Sequence, residues 1–97
     1  MYVIFSVKRE CVNKIDTVLQ DDIVSRQSIV IRDAQALGFD KNVRFVLIEG
    51  AAAALQRAEE LFKEIAEKEP DVDAQKIYSK FKEQDETVDV GMGLLFQ

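Results

Sequence analysis

Alternating apolar and polar residues predict strands in this chain, and apolar residues three or four positions apart predict helices. Residues 2–8 alternate and are rich in β-branched and aromatic side chains, which indicates a strand. Residues 43–49 show a similar pattern and predict another strand. After Gly50 the apolar residues recur at the spacing of one helical stripe, which predicts a helix over 51–68. A strand that turns directly into an amphipathic helix is therefore the best-defined unit of the chain.

Three weaker patterns extend this reading to both sides. Apolar residues at helical spacing predict a short helix over 10–20. Pro70 ends the long helix, because the residue before a proline avoids helical angles. A second, shorter helix is predicted over 72–83, and alternating apolar residues predict a last strand over 87–96.

Residues 24–37 admit two interpretations. The β-branched run Ile29-Val30-Ile31 favours a strand over 24–32, followed by a brief helical turn that ends at Gly38. The alternative is one helix over 26–37. Periodicity does not separate the two, because short apolar runs fit both a strand and a helix.

The predicted order of elements resembles the βαββαβ arrangement of ferredoxin-like domains. The expected fold is therefore α+β: one domain over 1–97, with an antiparallel sheet, helices on one face and the extra helix 72–83 before the last strand. The passage VRFVLIEGAAAALQRAEELFKEI also resembles the third strand and second helix of ACT-type regulatory domains. That family places a glycine-bearing turn after its first strand. Residues 8–11 here, KREC, contain no glycine, so the resemblance transfers no ligand residues.

Charge and composition narrow the classes of partner. The first 48 residues carry a net charge of +1 and the remainder −6, within a total of −5, which disfavours binding to nucleic acid. No apolar run reaches the roughly 18–20 residues that span a membrane. The first residues lack the pattern of a signal peptide, and the single cysteine forms no intramolecular disulfide. A cytoplasmic protein is expected.

The residue types also limit the chemistry. Histidine is absent, which removes the commonest general base and metal ligand, and we expect no catalytic residue, cofactor or metal. Cys11 is either a small packed residue or a reactive thiol beside Lys8 and Arg9. The acidic pair Asp21-Asp22 suits a turn or a helix cap.

Five residues are candidates for a ligand site. Arg26, Arg32 and Arg44 form a basic face if the second and third strands pair, although such a face can simply be solvated. Gly91 and Gly93 permit close approach of a ligand or subunit. Together they suggest a sensor of an anionic metabolite.

The second face of the predicted sheet is the more informative surface. We assign to it four large side chains, Tyr2, Ile4, Val46 and Ile48. A contiguous apolar patch of that size is improbable in water, so either helix 72–83 or another subunit covers it. The leading expectation is a non-catalytic binding or assembly module that self-associates through the sheet into a homo-oligomer. The alternatives are a small-molecule sensor with its ligand at a subunit interface, and an enzyme or enzyme accessory subunit that uses carboxylates.

Overall fold

Four strands form one antiparallel sheet in a computed structural model that describes the backbone of residues 1–96 and the side chains of residues 1–83. The predicted strands over 2–8 and 43–49 are confirmed as β1 and β3. The order across the sheet is β2-β3-β1-β4, so β2 and β4 form its two edges. The strands are β1 (Tyr2–Lys8), β2 (Ser28–Asp33), β3 (Val43–Glu49) and β4 (Ala66–Lys68).

Two α-helices and three short 3-10 turns connect these strands, and a third α-helix follows the last one. No helix within the described residues has both the length and the hydrophobicity that a membrane crossing needs. The helices are α1 (Ile15–Leu19), α2 (Ala52–Phe62) and α3 (Asp71–Phe96), and the 3-10 turns span Arg9–Lys14, Val24–Arg26 and Gln35–Leu37.

Helices cover both faces of the sheet, not one face as the sequence analysis expected. One face packs against α1 and α2, and the other packs against α3. The reason lies in β1 and β3, which are apolar on both sides; the run Phe45-Val46-Leu47-Ile48 is fully buried. A strand buried on both faces reads as a continuous apolar run, and each face then needs its own cover.

The ambiguous segment contains a strand and two short turns. β2 begins at Ser28, after a 3-10 turn over Val24–Arg26 and slightly later than the predicted 24–32. The predicted helical turn before Gly38 is confirmed as Gln35–Leu37, and Gly38 adopts a φ of 90°. The alternative of a helix over 26–37 is wrong, because pairing with β3 satisfies the backbone and suits the β-branched side chains.

The predicted helix over 51–68 is too long at its C-terminal end. α2 ends at Phe62, and Ala66–Lys68 forms strand β4 on the outer side of β1. Backbone groups on that side of β1 need partners, and this tertiary requirement outweighs the helical propensity of the segment.

The C-terminal part of the chain belongs to one helix. The predicted helix over 72–83 falls within α3 (Asp71–Phe96). The predicted strand over 87–96 is wrong, because these residues belong to the same helix; their side chains lie outside the described residues. β4 therefore occupies the edge of the sheet that this strand was expected to form.

Candidate functional site

The four apolar residues predicted to share an exposed face lie on two faces, and each face is covered within one chain. Tyr2 and Ile4 lie on the α3 side of the sheet with Phe45 and Leu47. Val46 and Ile48 lie on the opposite side, buried with residues of α2. The helix covers the second face, which is the first of the two alternatives that the sequence left open.

A polar cluster at the rim, which we name the Glu49 clasp, fastens α3 to the sheet. The rings of Tyr2 and Tyr78 stack with centroids 4.2 Å apart. The Tyr78 hydroxyl donates to Glu49 Oε2 at 3.1 Å, and Lys82 Nζ donates to Glu49 Oε1 at 3.2 Å. Both carboxylate oxygens thus accept a bond from α3, which fixes the helix over β1 and β3.

The Glu49 clasp suits a structural role better than a catalytic one. The hydrogen bond to Glu49 and the negative charge of that carboxylate raise the pKa of Lys82 above its ordinary value. A lysine that acts as a base or nucleophile near neutral pH needs a lowered pKa instead. The ammonium therefore stays protonated and continues to hold the helix.

The three candidate arginines do not form a common basic face. Arg32 stands opposite Phe45 and so lies on the α3 side, whereas Arg44 stands opposite Asp33 on the other side. Arg44 Nε donates to Asp33 Oδ1 at 2.9 Å. Arg26 precedes β2 and bonds Asp22 at 3.3 Å. The pairing of β2 with β3 is as expected, but its register separates Arg32 from Arg44.

Three singled-out residues remain: Gly91, Gly93 and Cys11. Gly91 and Gly93 lie beyond Glu83, outside the residues whose side chains the structure describes. Cys11 is half-buried and packs against the core beneath α1 and α2, which favours its interpretation as a small packed residue.

The outer edge of β2 presents unpaired backbone groups. Ala34 N–H donates to the Val43 carbonyl at 3.0 Å, so the even-numbered residues of β2 point their backbone groups toward β3. The backbone groups of Ile29, Ile31 and Asp33 therefore point outward. The Ile31 carbonyl accepts one bond, from Arg32 Nη1 at 2.8 Å, and keeps a second lone pair.

The two sheet edges differ in length and protection. β4 has three residues, and Pro70, which lacks an N–H, follows shortly after it. β2 has six residues, of which Ile29, Val30 and Ile31 are only half-buried. Short, charged, proline-limited strands resist pairing with another chain, whereas a longer apolar edge invites it. The β2 edge is thus the open surface that the sheet offers.

No direct signal in the sequence identifies this edge, because edge status depends on strand order. The comparisons with known proteins do not supply it either: no family model, no curated protein and no solved structure matches the chain.

Proposed function

We propose that this chain is a small non-catalytic assembly module of the ferredoxin-like class, which self-associates by antiparallel pairing of two β2 strands. The fold assignment is supported by connectivity. β1 and β2 both pair antiparallel with β3, so they are parallel to each other. β3 and β4 both pair antiparallel with β1, so they are parallel to each other as well. Each α-helical crossover therefore links parallel strands with one strand between them, the split βαβ arrangement.

The observation that carries this proposal is the outward row of backbone groups on β2. In water these groups are solvated, and in a sheet they bond to a neighbouring strand. A second copy supplies a neighbour of identical length and hydrogen-bond pattern, and a two-fold axis closes the pair without exposing a new edge. Pairing then makes one continuous sheet of eight strands.

Registers that pair outward-facing residues of the two copies satisfy the backbone, and the proposal commits to the one centred on Val30. With Val30 opposite Val30 of the second copy, Ile29 of each copy faces Ile31 of the other. Each isoleucine pair exchanges both N–H···O bonds, about four backbone bonds in all. Ser28 then faces Arg32, so no like charges stand directly opposite. The register centred on Arg32 places two guanidinium groups against each other and is disfavoured.

Charge also favours this surface over others. The chain as a whole carries −5, which makes two copies repel. Around β2, however, Asp22 is bonded to Arg26 and Asp33 to Arg44. Arg32 adds a positive charge at the edge, so two copies meet there with less repulsion than their net charge implies.

The expected association is weak. Edge pairing of six residues buries less than the roughly 1,600 Å² of a standard interface. We therefore expect a dissociation constant in the micromolar range or weaker, and a reversible equilibrium between a monomer of 11.0 kDa and a dimer.

Substitutions at the exposed Ser28 test the pairing. Ser28→Lys sets a lysine against Arg32 of the second copy, and Ser28→Asp sets a carboxylate there. Sedimentation equilibrium should show dimerisation weakened by the first and strengthened by the second, each about 2- to 30-fold across two symmetric pairs. Within one chain Ser28 stands opposite Glu49, so the stability of the monomer should change in the reverse direction.

Matched controls separate edge pairing from general repulsion. Ser79→Lys and Ser79→Asp make the same charge changes at an exposed position of α3, away from the β2 edge. They alter only the net charge, so each should change the dissociation constant of the dimer by no more than about twofold. The double variant Ser28→Lys, Arg32→Asp should restore association. A wild-type chain that stays at 11.0 kDa into the millimolar range, or an association indifferent to Ser28, contradicts the proposal.

A further inference from the structure

Glu69 is the one charged residue among those described that is less than a tenth exposed, at 9%. Its backbone N–H donates to the Ile4 carbonyl at 2.9 Å, which places it directly after β4. Within residues 1–83 its carboxylate has no hydrogen bond or ion pair. No fully enclosed side-chain oxygen in that part of the chain lacks a partner, so the carboxylate reaches water through the cleft that it lines. A polar side chain that is nine-tenths buried and has no protein partner calls for an explanation.

The backbone of Tyr2 adds unpaired groups to the same cleft. Gly50 N–H donates to the Met1 carbonyl at 3.0 Å, so odd-numbered residues of β1 face β3 and even-numbered ones face β4. β4 ends at Lys68, and Pro70 has no N–H to donate. The N–H and C=O of Tyr2 therefore point past the end of β4, into the cleft.

The cleft lies at the corner where β1, β4 and the start of α3 meet. Its volume is about 270 Å³, which is the volume that roughly nine water molecules occupy in liquid water. Met1, Tyr2 and Ala74 provide apolar wall, and Asp71 and Gln75 of α3 provide polar wall. Lys68 is the basic side chain that lines the cleft, but its ammonium is bonded to Glu59 of α2; Met1, which carries the α-amino group, lines the cleft as well.

The geometry points to a binding site for the ammonium group of a small organic amine in this cleft. An ammonium carries three N–H donors and no acceptor. The cleft offers acceptors on Glu69, on Asp71 and on the Tyr2 carbonyl, and the apolar wall suits a short alkyl chain. A cation also supplies the partner that the Glu69 carboxylate lacks. The site lies across the sheet from the β2 edge and does not depend on self-association.

Other ligand classes fit this chemistry less well. Two carboxylates repel an anion, although the start of α3 alone would attract one. The described residues contain no group of three or more acidic, cysteine or histidine side chains that could hold a metal ion. The unpaired carboxylate and the apolar wall together favour an alkylammonium.

A nuclear magnetic resonance titration of the full chain with butylammonium chloride tests this inference. Saturable shifts confined to the amides of residues 2–4 and 69–75, with a dissociation constant in the millimolar range, support it. 1-Butanol and butyrate have the same carbon chain without the positive charge, and should give no saturable shift there. The proposal is overturned if butylammonium gives no saturable shift at these residues, if the alcohol or the anion binds equally well, or if magnesium chloride reproduces the same shifts.

The variant Glu69→Gln removes the charge and keeps the shape of the side chain. We expect it to bind butylammonium at least about tenfold more weakly, because it loses a charge-assisted hydrogen bond. Glu67→Gln makes the same change at an exposed position of β4 and should bind as the wild type does. Equal affinity in the two variants contradicts the role of Glu69. The wild-type titrations with amine, alcohol and anion decide the question even if Glu69→Gln does not fold.

Discussion

At the scale of single residues, Asp21 joins the segment before β2 to helix α2. Its Oδ2 accepts the backbone N–H groups of Ile23 and Val24, both at 3.1 Å. Its Oδ1 accepts Arg57 Nη2 at 2.9 Å and Nε at 3.2 Å. These bonds lower the pKa of the Asp21 carboxyl below its usual 3.8. The bond from Arg57 contributes most, and the backbone bond from Val24 contributes next. The turn role that the sequence predicted for the acidic pair is confirmed for Asp21, whereas its bond to Arg57 required the tertiary structure.

Replacing this carboxylate should cost stability in a pH-dependent way. Asp21→Asn should lower the melting temperature near pH 7 by about 4–8 °C, because the charged acceptor is lost. Folding lowers the pKa of Asp21. The extra stability that its carboxylate gives the wild type is therefore complete at pH values above the pKa of the unfolded chain. It is lost as the pH falls through the lower pKa of the folded chain. Thermal melts should therefore converge for the two proteins at strongly acidic pH.

Asp22→Asn is the matched control for that comparison, since Asp22 is exposed and bonds Arg26 alone at the surface. It should change the melting temperature by no more than about 2 °C. An Asp21→Asn effect that persists unchanged in acid would show that its cost does not come from the ionised carboxylate.

At the scale of elements, local patterns identified β1, β3, most of β2 and the starts of α2 and α3, whereas tertiary pairing decided β4. Ala66–Lys68 has residues that suit a helix, yet it pairs with β1 because that backbone needs a partner. The arginine face failed for a related reason. The register between β2 and β3 determines the face of the sheet on which Arg32 and Arg44 each lie. That register is set only when the two strands pair in the folded chain.

Helix α3 covers one face of the sheet, so substitutions at two adjacent residues of the helix should have different effects on the free energy of unfolding. Ile77 is buried against Phe45 and Leu47, whereas Lys76 is exposed. Ile77→Val should reduce the free energy of unfolding by about 0.5–1.5 kcal/mol, since it removes a buried methylene from a packed site. Lys76→Ala should change it by less than about 0.5 kcal/mol. Urea unfolding of both variants checks the prediction, and equal effects would contradict the covering of the sheet by α3.

At the scale of the whole molecule, strand order determines which surface remains open. The sequence correctly indicated an α+β chain. It also indicated that both faces of the sheet are apolar, so helices on one face alone cannot cover the apolar surface. It could not show that α3 covers the second face, because that depends on where the segment after Pro70 crosses the sheet. With both faces covered, the β2 edge is the surface from which assembly is proposed.

Amide hydrogen exchange as a function of protein concentration tests the β2 edge most directly. The N–H groups of Ile29 and Ile31 point outward, while that of Val30 bonds β3. The account predicts that exchange at Ile29 and Ile31 slows as the concentration rises, whereas Val30 is protected throughout and the outward Tyr2 amide stays unaffected. If Ile29 and Ile31 exchange at the same rate at every concentration up to the millimolar range, β2 does not pair with a second copy and the proposed assembly is contradicted.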